Sequence, residues 1–144
     1  MSANTQHNTQ QKDIVVLANE ALVGKEGCLA RLVNDGGLPK AALPAATSDL
    51  CPYLILEGGP IDTPVLLRPM TAGGNVRIWI KGAGNPGDLV CPADGGDAGK
   101  VKVQPTAAGS YRNVGLLEEI AKDGQLALVR PLALAVTVIP PAGP

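Results

Sequence analysis

Asp35-Gly36-Gly37, then Lys40, Pro44, the apolar run Tyr53-Leu54-Ile55-Leu56 capped by Glu57, and Leu67-Arg68-Pro69-Met70 form a series of landmarks that the chain states twice. The second series runs Asp94-Gly95-Gly96, Lys100, Pro105, Val114-Gly115-Leu116-Leu117 capped by Glu118, and Val129-Arg130-Pro131-Leu132. The shift is 59 residues from Asp35 to Asp94, 61 from Pro44 to Pro105 and 62 from Arg68 to Arg130, a drift that small insertions explain. Gly27-Cys28-Leu29 against Gly87-Asp88-Leu89 carries the match upstream at a shift of 60. The expected organisation is therefore two tandem repeats of about 60 residues, 14–75 and 76–139, with a polar arm at 1–13 before them and a Pro-rich tail at 140–144 after them. A catalytic site rarely needs its landmarks in both halves, whereas a symmetric scaffold does.

Each repeat reads as strands. Val76-Arg77-Ile78-Trp79-Ile80 alternates cleanly, with Val76, Ile78 and Ile80 on one face and Arg77 and Trp79 on the other. With 18 Gly and 13 Pro, every candidate helix is interrupted and the apolar runs last only five or six residues, the pattern of an all-β chain. About ten strands are expected. Asp-Gly-Gly supplies a turn in both halves, because glycine reaches positive φ without steric cost and an Asp before it folds its side chain back onto the turn. Leu116 to Lys122 has a helical Glu118–Lys122 spacing, but its counterpart Leu54-Ile55-Leu56-Glu57 runs straight into Gly58-Gly59-Pro60, so strand then turn is expected.

The chain has 144 residues, no Phe, one Trp and two Tyr, so its core must be Val, Leu, Ile and Ala. Only 17% of residues are charged, below the usual quarter, and mean hydropathy is +0.14. That balance suggests surface hidden against a partner. No apolar run approaches the roughly 18 residues of a membrane span, so a membrane is not expected. The net charge of −1 and singly scattered basic residues speak against nucleic acid. Ser2 to Lys12 is almost wholly polar and has no apolar core of the kind a signal peptide needs. It reads as an arm that stays disordered or folds onto a neighbouring subunit, and Gln10, Gln11 and Lys12 are candidate partner contacts.

Motifs for chemistry dissolve on inspection. Gly82-Ala83-Gly84-Asn85-Pro86-Gly87 fits GxGxxG but leads into Asp88-Leu89-Val90-Cys91-Pro92, with no helix to hold a pyrophosphate; a hairpin turn is expected. Gly99-Lys100 lacks the following Ser or Thr of a P-loop. His7 is the only histidine and lies in the arm, so no preorganised Ser-His or Cys-His pair is expected. Gly109-Ser110-Tyr111 reads as a loop before the Val114 strand. Cys28, Cys51 and Cys91 share no CxxC spacing and break the repeat, so three free, at least partly buried thiols and an intracellular origin are expected, with no disulfide or zinc. No catalytic residue, metal ligand or cofactor is assigned. Arg68-Pro69 and Arg130-Pro131 offer a rigid fork for a partner's carboxylate at each strand end, and Trp79 is a further candidate contact.

Gly87-Asp88-Leu89-Val90, Val114-Gly115-Leu116-Leu117, Asp123-Gly124-Gln125 and Leu126-Ala127-Leu128-Val129-Arg130 together resemble the capsid cement, or decoration, proteins of tailed bacteriophages. The resemblance covers 76–139 and, through the repeat, extends more weakly to 14–75. It implies a small β-barrel or β-tulip, a homotrimer, the major capsid protein as partner, and a place on the outer capsid surface of a virion assembled in the host cytoplasm. Two other expectations stand beside it: a different virion component, such as a head-fibre base or tail accessory protein, and a small β-barrel enzyme.

Overall fold

The structure, a computed structural model, describes residues 13–71 and 73–143. It is all-β. The first half contributes β1 (Ile14–Ala18), β2 (Leu29–Asp35), β3 (Leu38–Ala42), β4 (Tyr53–Glu57) and β5 (Pro64–Pro69). The second contributes β6 (Val76–Trp79), β7 (Leu89–Pro92), β8 (Val101–Val103), β9 (Gly109–Arg112), β10 (Gly115–Leu117), β11 (Leu126–Pro131) and β12 (Val136–Ile139). β1 to β5 close into a barrel in the order β1-β3-β2-β4-β5, with β1 and β3 parallel and the other neighbours antiparallel. The second sheet runs β6-β11-β10-β7-β8, and its two ends meet at one parallel bridge from Ile80 to Val101.

The two sheets share strand order and register. Ile14 lies opposite Leu67 as Val76 lies opposite Val129. Leu54 faces Arg68 as Leu116 faces Arg130, and Leu29 faces Leu54 as Leu89 faces Leu116. The connecting loops follow suit. Gly27 N–H donates to Ile55 O at 2.9 Å and Gly87 N–H to Leu117 O at 2.8 Å, while Leu22 N–H reaches Gly59 O at 2.8 Å and Gly84 N–H reaches Ala121 O at 3.1 Å. Both Gly27 and Gly87 take positive φ, +85° and +90°, which the turn into β2 or β7 requires.

The alternating pattern of β6 sends Ile78, and Ile80 just beyond it, into the interior, where both are fully buried. Each such side chain stabilises the fold by about 1.5–3 kcal/mol relative to exposure. The core is not divided at the chain's midpoint. Leu29, Cys51 and Leu54 of the first half pack in one cluster with Ile78, Val90, Val101, Leu117 and Val129 of the second. A second cluster, around Ala18, Leu22, Ile55 and Leu67 inside the first barrel, takes Trp79 and Ala98 of the second half against it. All three cysteines are free and buried, acting as small apolar fillers.

Several expectations are corrected. The described residues form twelve strands where about ten are expected. Gly109-Ser110-Tyr111 is no loop but part of β9, which pairs with β12; the matching stretch of the first half, 43–52, carries no strand. Gly82 to Gly87 is a connection between strands that do not pair, because β6 borders β11 and touches β8, so it is not a hairpin turn. The Asp-Gly-Gly segments join equivalent strands but differ in shape. Gly36-Gly37 make a tight hairpin whose Gly37 N–H is held by Asn34 Oδ1 at 2.8 Å, whereas Gly95–Asp97 form a 3-10 turn. Neither Asp folds back on its own turn: Asp35 pairs with Lys40 at 2.6 Å and Asp94 with Lys102 at 3.5 Å.

The β9–β12 ribbon ties the end of the chain to the first half. Arg112 N–H donates to Thr47 O at 2.8 Å, its Nε to Ser48 O at 3.1 Å and its Nη1 to Leu134 O at 2.8 Å. Tyr111, buried, donates its hydroxyl to Ala107 O at 3.0 Å. Carbonyls that would otherwise be orphaned in irregular backbone are thereby satisfied.

Candidate interaction surface

Arg68 and Arg130 stand at the same register position in their strands, but they find acids on different elements. Arg68 Nε and Nη2 bond the two carboxylate oxygens of Asp13 at 2.9 and 3.2 Å, just before β1. This two-point bond holds the guanidinium charged, above its ordinary range. Arg130 pairs with Glu118, immediately after β10. Both guanidinium groups remain about half exposed, so each can still meet an outside group, with its orientation fixed by its own acid.

Between the strand ends of the two halves lies a groove of about 510 Å3 lined by Leu54, Arg68, Pro69, Asn75, Val76 and Arg77. Its second cation was not foreseen. Arg77 bonds Glu119 Oε1 and Leu126 O, both at 3.0 Å. The same Glu119 oxygen also accepts from Leu128 N–H at 3.1 Å and Gln125 Nε2 at 3.2 Å. The backbone N–H of Leu128, then Arg77 and Gln125, hold the Glu119 carboxyl below the usual carboxylate range.

Trp79 is placed at the junction of the first barrel and the second sheet rather than free on a surface. Its Nε1 donates to Glu26 O at 2.7 Å and its backbone N–H to Gly27 O at 3.2 Å. Leu29 N–H completes the contact by donating to Gly99 O at 2.7 Å. Residues 27–29 thus sit as a wedge in the seam of the second sheet, between β6 and the start of β8. The fit depends on the absence of a side chain: a Cβ on Gly27 would lie 2.9 Å from Leu126 Cδ2 and 3.0 Å from Trp79 Nε1. Gln10, Gln11 and Lys12 lie outside the described residues.

The apolar surface anticipated from composition is distributed over both halves. Val15, 66% exposed, lies on β1 directly across from Leu66 of β5. Val138, 67% exposed, lies on the β9–β12 ribbon, and Leu38 and Ile61 protrude from the first barrel. The signal for Val15 in the sequence is the unbroken apolar run Ile14 to Leu17, which places apolar residues on both faces of β1. Among the described residues no cluster of His, Cys, Asp or Glu is arranged to hold a metal ion.

No protein-family model matches the chain, and no curated protein matches it. Among solved structures it is similar to the head fiber gp8.5 N base of bacteriophage phi29, with a TM-score of 0.63 over 83% of this chain and 92% of that chain, at 16% identity. At that identity the similarity is one of fold.

Proposed function

We propose that this chain is a structural component of a phage virion that seats on the outside of the assembled head, built from two copies of one barrel unit, 14–75 and 76–139. The observation that carries the reading is the fold similarity to the phi29 head-fiber base, which spans nearly all of that base. The capsid-cement resemblance of Gly87–Val90, Val114–Leu117 and Leu126–Arg130 points to the same location by a separate route. Two forms of the role follow. As a cement, the chain would stabilise contacts between major capsid protein subunits, since a ligand that binds only the assembled shell favours it by mass action. As a fibre base, it would anchor a longer structure to the head; the fold similarity supports this form as well as the first. In either case a homotrimer would gain avidity from several simultaneous contacts, and no chemical step is required.

Cosedimentation with purified heads, against tails and buffer alone, tests the proposal: the protein is expected to pellet with heads only, and equal recovery in all three would overturn it. Heads warmed with and without bound protein separate the two forms, since a cement raises the temperature at which the shell opens. Deleting residues 2–12 is expected to leave the melting transition unchanged and to weaken attachment to heads; undiminished attachment would remove the arm from the interface.

A further inference from the structure

Besides the shared core and the β9–β12 ribbon, the two halves meet where the connection into β2 lies against the outer side of β6 and β11, and the register identifies the counterparts of both surfaces. On the second sheet the surface is the outer side of β6 and β11, where Trp79 and Leu126 lie opposite each other against Gly27, and Arg77 and Leu128 form the next pair along. On the first barrel it is the connection into β2, whose Gly27 carbonyl accepts from Trp79 N–H. At the equivalent positions, among the described residues, no such contact is made. The outer side of β1 and β5 presents Leu17 opposite Pro64, and Val15 opposite Leu66. Val15 is 66% exposed and Pro64 is exposed, although Ile14, Val16 and Ala18 on the inner side pack in the core. The connection into β7 presents Asn85, Pro86 and Gly87, all exposed, and a Cβ on Gly87 would meet nothing within 4 Å.

The seams differ in a way that follows the wedge. Where residues 27–29 enter the second sheet, its closure is reduced to the single Ile80–Val101 bridge; where nothing enters, β1 and β3 pair at Leu17–Lys40 and at Ala18–Ala41. The conformation of the free connection is nevertheless that of the used one. Asp88 N–H bonds Asn85 O at 3.1 Å as Cys28 N–H bonds Lys25 O at 3.0 Å, and Leu117 N–H bonds Asp88 O as Ile55 N–H bonds Cys28 O, both at 2.9 Å. Among the described residues, a loop already shaped as a wedge is left without a seam, and an apolar face is left without a loop.

We infer that a second copy of this chain supplies the missing half of each contact: the 85–89 connection of one molecule docks on the Val15–Leu66 face of the next, beside the β1–β3 seam that its own strand pairs close. The interface is heterologous, with different patches meeting, so it propagates until it closes into a ring or runs on as a filament. The occupant is a copy of the same chain because the internal contact is the pattern for the external one, with the same fold on both sides. The inference deepens the self-association proposed above and is independent of binding to heads.

The test uses the full chain, its mass measured by light scattering across a dilution series, with Val15→Glu as the blocked face and Asn85→Glu as the blocked loop. Both positions are exposed, and circular dichroism checks that each variant is folded; Pro64→Glu is a second face variant if Val15→Glu is not. The unaltered chain is expected at a multiple of its 14.6 kDa mass, and each variant alone at 14.6 kDa. Mixing the two variants should restore one intact interface, loop of the first on face of the second, and give a 1:1 dimer that grows no further. An unaltered chain that stays monomeric at every concentration, a variant that assembles as fully as the unaltered chain, or a mixture that yields no dimer would each overturn the inference. None of these outcomes involves a head, so failure here leaves the cosedimentation result standing and the reverse also holds.

Discussion

Replacing Gly27 by Ala puts a methyl group into the wedge, and replacing Gly87 by Ala puts the same group at the same register position where nothing is docked. Both glycines have positive φ, +85° and +90°, so each variant carries a similar backbone strain, on the order of 1–2 kcal/mol. Only the first meets an obstacle: the added carbon falls 2.9 Å from Leu126 Cδ2, 3.0 Å from Trp79 Nε1 and 3.1 Å from Trp79 Cδ1. Trp79 cannot retreat without lengthening its 2.7 Å bond to Glu26 O. Overpacking of that kind typically costs about 1–3 kcal/mol. Gly27→Ala should therefore lose about 1–3 kcal/mol more than Gly87→Ala. The assay is urea unfolding, with ΔG from linear extrapolation, and both substitutions are made in the Val15→Glu background so that self-association does not contribute. If the two variants lose the same stability to within about 0.5 kcal/mol, the wedge is not a stabilising contact and the account of the barrel junction fails.

Ile78→Ala, in the fully buried core, should cost about 2–5 kcal/mol, whereas Val138→Ala on the exposed ribbon should stay within about 0.5 kcal/mol in the same unfolding assay. Burial pushes the Cys51 thiol up to about 12, that of Cys91 up to about 11, and Cys28 upward as well, so at pH 8 almost no thiolate is available. Alkylation followed by mass spectrometry should find all three thiols slow in the folded chain and fast in urea; fast labelling of the folded chain would contradict the packing. Glu119 and Asp97 both have folded pKa values below their ordinary 4.5 and 3.8, so their contribution is present above those values and is lost as pH falls through the lower folded ones. Acid unfolding curves of Glu119→Gln and Asp97→Asn should accordingly be flatter than that of the unaltered chain below about pH 4.5.

The parts of the fold that could be read in advance are those where a local rule and the register agree. Val76 to Ile80 alternates because one face of β6 is interior, and Arg68-Pro69 and Arg130-Pro131 mark the ends of β5 and β11, so these strands and strand ends are legible in the sequence. β9 and β12 escaped because they belong to one half only; a search by correspondence is blind to what has no counterpart. Gly82–Gly87 misled because glycine density signals a change of direction without saying which strand the chain joins next. Trp79 reads from sequence as a contact for an outside partner; the groups it meets within the chain, the Gly27 and Glu26 carbonyls, carry no side-chain signature. Arg77 and Glu119 are 42 residues apart and outside the landmark series, so only folding brings them together.

The core shared by the two halves bears on how the protein is made. A ribosome delivers the first barrel before the second exists, and at that moment Leu29, Cys51 and Leu54 have no Ile78, Val90 or Val129 to cover them. The nascent first half must then hold an apolar flank open to solvent and to other emerging chains until some sixty further residues have been added. The bonds to Thr47 and Ser48 come from Arg112 of β9, whose pairing partner β12 is made later still. Expression of residues 14–75 alone should accordingly yield aggregates. Slowing synthesis across the midpoint should lower the yield of the full chain by lengthening the interval in which that flank is bare.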